Sequence, residues 1–243
     1  MINKFFIPSF LLIGTLFLGC GAQPNRPSPT ISNQDVGISD IGTDGTDGGD
    51  GGDAGKVTVY APLLPDISTK AGSGGSGGGG GRGKSKNGKP GKPGNPGKAG
   101  MVEARSASAE FNIPQKNIEV FKVEKDQTVY LEAGEQAFKT LEVYGTLKTK
   151  GDALIACDNL ILGSNGKIDF EGTSDHLNGF SLVIYAHNLT LDGNMSASGL
   201  QSSIPGTPAG NGGTITINAT QCQSAQGSVV SNGAHGLNGA NGQ

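Results

Sequence analysis

The chain has 243 residues, of which 43 are glycine and none tryptophan; aromatics make up 5% and the formal net charge is −3. This excludes a bulky aromatic core, and the acidic balance gives no support to a nucleic-acid binder. Any core has to be built from Leu, Ile, Val and Ala in a repetitive arrangement.

Met1-Ile2-Asn3-Lys4 carries one positive charge, and an apolar run follows from Phe5 to Leu18, broken by Pro8 and Ser9. A membrane-spanning helix needs about 20 apolar residues, whereas a basic start and a short apolar stretch fit a secretory signal. Leu16-Phe17-Leu18-Gly19-Cys20 then resembles the lipobox of bacterial lipoproteins, with small Gly19 and Gly21 flanking the cysteine. Phe17 departs from that pattern, which has leucine there. The resemblance implies a signal peptide over 1–19, acylation of Cys20 and a place in the bacterial cell envelope. The expected site is the outer membrane rather than the inner, on its periplasmic or its outer face. The competing reading is a soluble secreted protein cut after Ala22.

Residues 20–40 read as the lipid anchor and a polar, Pro/Ser-rich tether. Residues 41–100 form a glycine-rich region with a short strand near 57–61, and it holds two period-three runs. An acidic run sets Asp44, Asp47, Asp50 and Asp53 in the third place of four triplets beginning at Gly42, Gly45, Gly48 and Gly51. A basic run, from Gly88 to Gly100, has Lys89, Lys92 and Lys98 and resembles collagen, with proline in the third place of most triplets. A late run, Gly233 to Gly242, repeats the period. Three residues per turn is the repeat of the polyproline II helix, which leaves one all-glycine edge able to pack against another backbone. Two readings stand here: packed extended helices, with the acidic and basic runs drawn together by charge, or flexible linker, which Gly74–Gly81 fits locally. The acidic run lacks the apolar position of the calcium-binding nonapeptide, so no metal or other cofactor is expected.

Residues 101–243 carry the repeat that defines the fold. Leu141-Glu142-Val143-Tyr144-Gly145-Thr146-Leu147 aligns without gaps to Leu189-Thr190-Leu191-Asp192-Gly193-Asn194-Met195, and residues 160–172 repeat the pattern with two extra residues and Phe170 in a small-residue position. Before these lie Leu154-Ile155-Ala156-Cys157, Val183-Ile184-Tyr185-Ala186 and Thr216-Ile217-Asn218-Ala219, with Asn159, Asn188 and Gln221 in one column. Even Val57-Thr58-Val59-Tyr60-Ala61 fits loosely. Period two predicts short strands, and glycines at fixed offsets predict corners with positive φ. Such units must stack to bury their apolar side. Ile118-Glu119-Val120-Phe121 and Thr128-Val129-Tyr130-Leu131 are expected to form the first rung or a cap, and the amide column a ladder. The pattern, and Gly210–Ala219 in particular, resembles the parallel β-helix (β-solenoid) domains of bacterial surface and secreted proteins. The implied fold class is all-β: a small right-handed parallel β-helix with polyproline-II-like extended segments.

In this register Cys157 falls in the alanine column and Cys222 in the leucine column, two rungs or ~10 Å apart, where a disulfide needs Cα atoms within about 7 Å. Two buried free thiols are therefore expected. Asp158, Asp169, Glu171, Asp175 and Asp192 are scattered over rungs and corners, and His176, His187 and His235 lack metal-ligand spacing, so no catalytic site is expected. The leading reading is a membrane-anchored structural or adhesive lipoprotein presenting a repetitive polar surface to glycans, envelope polymer or envelope proteins. The alternatives are a polysaccharide-active β-helix enzyme and a subunit trimerised by the collagen-like run; the oligomeric state stays open.

Overall fold

The computed structural model describes residues 41–111 and 119–243. Alternating apolar and polar residues produce strands and no helix among the described residues. These are β1 (Lys56–Ala61), β2 (Asp66–Ser68), β3 (Met101–Ser106), β4 (Val120–Val123), β5 (Thr128–Leu131), β6 (Gly134–Val143), β7 (Thr146–Thr149), β8 (Ala153–Leu162), β9 (Lys167–Asp169), β10 (Leu182–Leu191), β11 (Asn194–Ser196), β12 (Thr214–Ser224) and β13 (Ser228–Val230). Two sheets result, ordered β3-β1-β12-β10-β8-β6-β4 and β2-β13-β11-β9-β7-β5. Every pairing between these strands is parallel.

From β4 to β13 the chain adds a strand to each sheet in turn. The pair β4 and β5 opens the series, in line with the expectation for Ile118–Phe121 and Thr128–Leu131, of which Ile118 lies outside the described residues. The segment near 57–61 takes a less obvious place. β1 and β2 continue the sheets beyond β12 and β13, and β3 lies outside β1. An early part of the sequence thus covers the last pass of the chain.

The register follows the sequence columns. Ile155, Ile184, Ile217 and Val59 are paired neighbours across four strands and fully buried, as are Leu141, Leu160 and Leu189. In the second sheet Leu147, Ile168, Met195 and Val229 form the matching buried column. Burying each such aliphatic side chain contributes roughly 1.5–3 kcal/mol. Two residues further along, the same register aligns Thr149, Phe170, Ala197 and Ser231, all buried. Phe170 fits because its neighbours on both sides are small, so the column conserves volume rather than residue type.

Within β10 the inward–outward alternation slips once, at His187-Asn188, where both residues are half-buried between inward Ala186 and Leu189. Asp158-Asn159 makes the same slip in β8. Two successive outward residues interrupt the period-two alternation and mark a corner in the strand. The amide column sits at this corner: Asn188 Nδ2 donates to Asn159 Oδ1 at 3.0 Å, and Asn159 Nδ2 to Thr140 Oγ1 at 3.3 Å.

The repeat glycines serve a different purpose from the one expected. Among the described glycines only Gly134 and Gly206 have positive φ. At Gly145, Gly166, Gly193 and Gly227 a Cβ would instead lie 2.0–2.3 Å from a backbone oxygen of a neighbouring pass. Close approach, not turn geometry, demands glycine there.

The glycine-rich runs are hydrogen-bonded to one another through the backbone. In the acidic run Gly42, Gly45, Gly48 and Gly51 donate to the carbonyls of Lys86, Lys89, Lys92 and Asn95. The next residue of each triplet, Thr43, Thr46, Gly49 or Gly52, donates to the late run. A polyglycine run closes the arrangement: Gly72, Gly75, Gly78 and Gly81 donate to the acidic run and accept from Gly97, Gly94, Gly91 and Gly88. Gly74–Gly81, the stretch most like a linker, is thereby bonded on several sides.

Candidate functional surface

The outward face of the second sheet gathers charge that the sequence scatters. Lys148, Asp169 and Ser196 are paired neighbours on β7, β9 and β11, with Lys167 two residues before Asp169. Lys148 and Lys167 each place Nζ 3.2 Å from Asp169 Oδ2, and Lys167 also reaches Glu171 at 3.6 Å. Ser196 Oγ donates to Glu171 Oε1 at 2.7 Å. Burial alone would push Asp169 upward, but the Glu171 N–H and the two ammonium groups outweigh it and hold its carboxyl below the ordinary value. The adjacent outward column runs Thr146, Lys167, Asn194 and Ser228, and Ser228 Oγ donates to Asn194 Oδ1 at 2.8 Å. Asp169 and Glu171 therefore belong to one cross-linked cluster. Opposite charges in adjacent rungs of one column were the available signal.

A polar concavity lies where the chain crosses from the first sheet to the second. Two adjoining hollows of about 230 and 260 Å³ share Tyr144, Lys125 and Asn165. Gln127, Asp126 and Thr128 line one side, Glu124 and Ser164 the other. The Tyr144 ring rests against Gly163, whose Cβ would meet it at 2.6 Å, and Lys122 Nζ stands 5.5 Å from the ring centroid. A glycine beneath the aromatic fixes the ring as part of the floor.

The corner column of the first sheet is occupied by a strap. After β3, Ala109 N donates to Ala219 O and accepts through its own carbonyl from Thr220 Oγ1. Phe111 then stacks on His187 at 5.0 Å and meets Tyr185 edge-on at 5.1 Å. His187 Nδ1 is 3.3 Å from Thr220 Oγ1. Asp158, His187 and Thr220 do share an outward position, with no common chemistry. At the opposite edge, Tyr60 donates to Glu103 Oε1 at 2.6 Å and Arg105 pairs with Glu103 at 3.3 Å, pinning β3 to β1.

Both described cysteines are free thiols. Cys157 is fully buried, and burial pushes its thiol up to about 12. Cys222 is only half-buried, against the expectation. β1 pairs with β12 only as far as Tyr60 and Asn218; beyond that the segment Pro62-Leu63-Leu64-Pro65 leaves the strand register, and the Leu63 backbone is hydrogen-bonded to the Cys222 thiol. Cys20 lies outside the described residues, as do the signal and tether segments. Comparison with protein-family models, with curated proteins and with solved structures yields no match.

Proposed function

We propose that the chain is a non-catalytic envelope lipoprotein, acylated at Cys20, that holds a small parallel β-helix away from a membrane. In this reading the glycine-rich runs are polyproline II helices bundled into a stalk, and the sheets are the successive faces of a coil. The observation that carries it is the second sheet's outward face. Its two polar columns repeat in register and are tied together by side-chain bonds, which suits display to a repeating polymer such as a glycan or to another envelope protein. The Tyr144 concavity adds an aromatic floor among amides and charges, the combination that receives sugar rings. The glycines of the collagen-like run are already engaged within the chain, which favours a monomer over a trimerised assembly.

The test is direct. Mass spectrometry of the purified protein should show acyl groups on Cys20 and loss of residues 1–19, and protease added to intact cells should reveal which face carries the coil. Envelope polysaccharide should be retained by the wild type and released by Lys148→Ala with Tyr144→Ala, without turnover of the polymer. Cleavage of a glycan abolished by replacing Asp169 or Glu171 would establish the polysaccharide-active enzyme instead, and a trimer in sedimentation would establish the assembly subunit.

A further inference from the structure

The far tip of the glycine bundle has a chemistry of its own. The acidic run leads from Ile41 to β1, so Ile41 marks the end remote from the sheets. The turn between the polyglycine and basic runs returns to that same tip, where Ile41 bridges Lys86. Thr43 meets Gln243 there as well. The turn reads Arg82-Gly83-Lys84-Ser85-Lys86, and all three cationic side chains are exposed. None of the ion pairs among the described residues involves them. Lys89 follows one triplet on, beside Asp44, whose carboxylate accepts the Lys89 N–H at 2.6 Å and offsets part of that charge.

Elsewhere in the bundle the acidic and basic runs lie side by side, and an Asp carboxylate accepts the backbone N–H of each of Lys89, Lys92 and Lys98, which places opposite charges close together. At the tip the four acidic triplets have ended, and no carboxylate among the described residues pairs with Arg82, Lys84 or Lys86. In the sequence, the segment that carries Cys20 joins the bundle at Ile41. A body held by a lipid on that segment offers this tip to the membrane, and a single acyl signal binds firmly only when a second one adds to it.

We infer that the basic turn Arg82–Lys86 docks on anionic phospholipid headgroups and sets the stalk upright on the membrane to which Cys20 is anchored. The inference rests on the lipoprotein reading, yet the two can fail separately. Three cations near an anionic surface amount to about a hundredfold in partitioning at low ionic strength, and that gain fades within a Debye length as salt rises.

The experiment is flotation of the full purified chain with two kinds of vesicle: phosphatidylcholine alone, and phosphatidylcholine mixed with equal parts of phosphatidylglycerol. The wild type should partition about a hundredfold more strongly onto the mixed vesicles, a preference that high salt removes. R82Q/K84Q/K86Q should lose most of that preference. K70Q/K139Q/K150Q, which removes equal charge from exposed positions away from the tip, should keep it. Equal partitioning of the wild type onto both vesicles, or a preference surviving in R82Q/K84Q/K86Q, overturns the inference. If acyl groups are present on Cys20 and the ratio is one, the basic turn is wrong and the anchor stands. If no acyl group is found and the ratio persists, the anchor is wrong and the turn stands.

Discussion

The sheet stack and the glycine bundle are two solutions to the same problem. The stack buries side chains: Ile184, Leu189, Met195 and their column mates exclude water and set the register. The bundle buries backbone: Gly72, Gly75, Gly78 and Gly81 are buried with no side chain to contribute, and hydrogen bonds replace aliphatic contact. The difference teaches where specificity resides. In the stack a column tolerates exchange of shape, as Phe170 among Thr149 and Ala197 demonstrates. At the buried glycines of the bundle a single methyl group has nowhere to go.

Side chains do return in the bundle, as hydrogen-bond acceptors. Asp44, Asp47, Asp50 and Asp53 accept the backbone N–H groups of Lys89, Lys92, Asn95 and Lys98 at 2.6–2.7 Å. Asn232, His235, Asn238 and Asn241 treat Lys70, Ser73, Ser76 and Gly79 alike. The acidic and basic runs are neighbours, as their charges suggest, but none of the described ion pairs joins them. The carboxylates bind backbone instead. The change from Thr43 and Thr46 to Gly49 and Gly52 in the second place has a cause too. A Cβ at Gly49 or Gly52 would lie 1.9 Å from the carbonyl oxygen of Thr207 or Gly210, a segment that passes over only that half of the run.

The largest effect that would sharpen this contrast is expected from Gly52→Ala. Its methyl must displace backbone, for a loss of roughly 3–5 kcal/mol in chemical denaturation. Leu189→Ala in the stack should cost about 3 kcal/mol by the ordinary cavity mechanism. Were Gly52→Ala the milder of the two, the bundle would not be a close-packed unit. Asp47→Ala should cost about 1 kcal/mol while Asp47→Asn, which keeps an acceptor for Lys92, should cost little; equal losses would mean that charge matters after all.

A smaller effect belongs to Asp169. Its folded carboxyl is held below the ordinary value, so its contribution is present above the unfolded value near ~3.9 and is lost as pH falls through the folded one. Thermal unfolding from neutral to acid pH should therefore show a shallower acid decline in Asp169→Asn than in the wild type. The smallest change is Gly79→Ala, where only Asn241 Oδ1 stands near, at 3.3 Å. Stability should stay within about 0.5 kcal/mol of the wild type.

How far the sequence disclosed this depends on which interactions carry each part. The stack was legible because its register is written in side-chain period two: Leu154, Val183 and Thr216 are true neighbours, as are Asn159, Asn188 and Gln221. The position of β1 was not. Val57-Thr58-Val59 carries the same alternation as any rung, and nothing local says that it covers β12 rather than preceding β4. The Lys148–Asp169 contact was readable from aligned columns yet is lost when carboxylates are scanned singly. Bundle geometry was legible only as a period, since glycine says where a side chain is forbidden but not which backbone comes near.

One further consequence follows from the acidic run lying against both the basic run and the late run. Thr43 Oγ1 accepts from Gln243 N across 200 positions of sequence, and Ala240 N donates to Thr46 Oγ1 across 194. Nearly all the chain must exist before its early glycines find their last partners. Pairings this distant are slow to form. The hydrogen bonding of the bundle is complete only once synthesis has delivered residues 233–243.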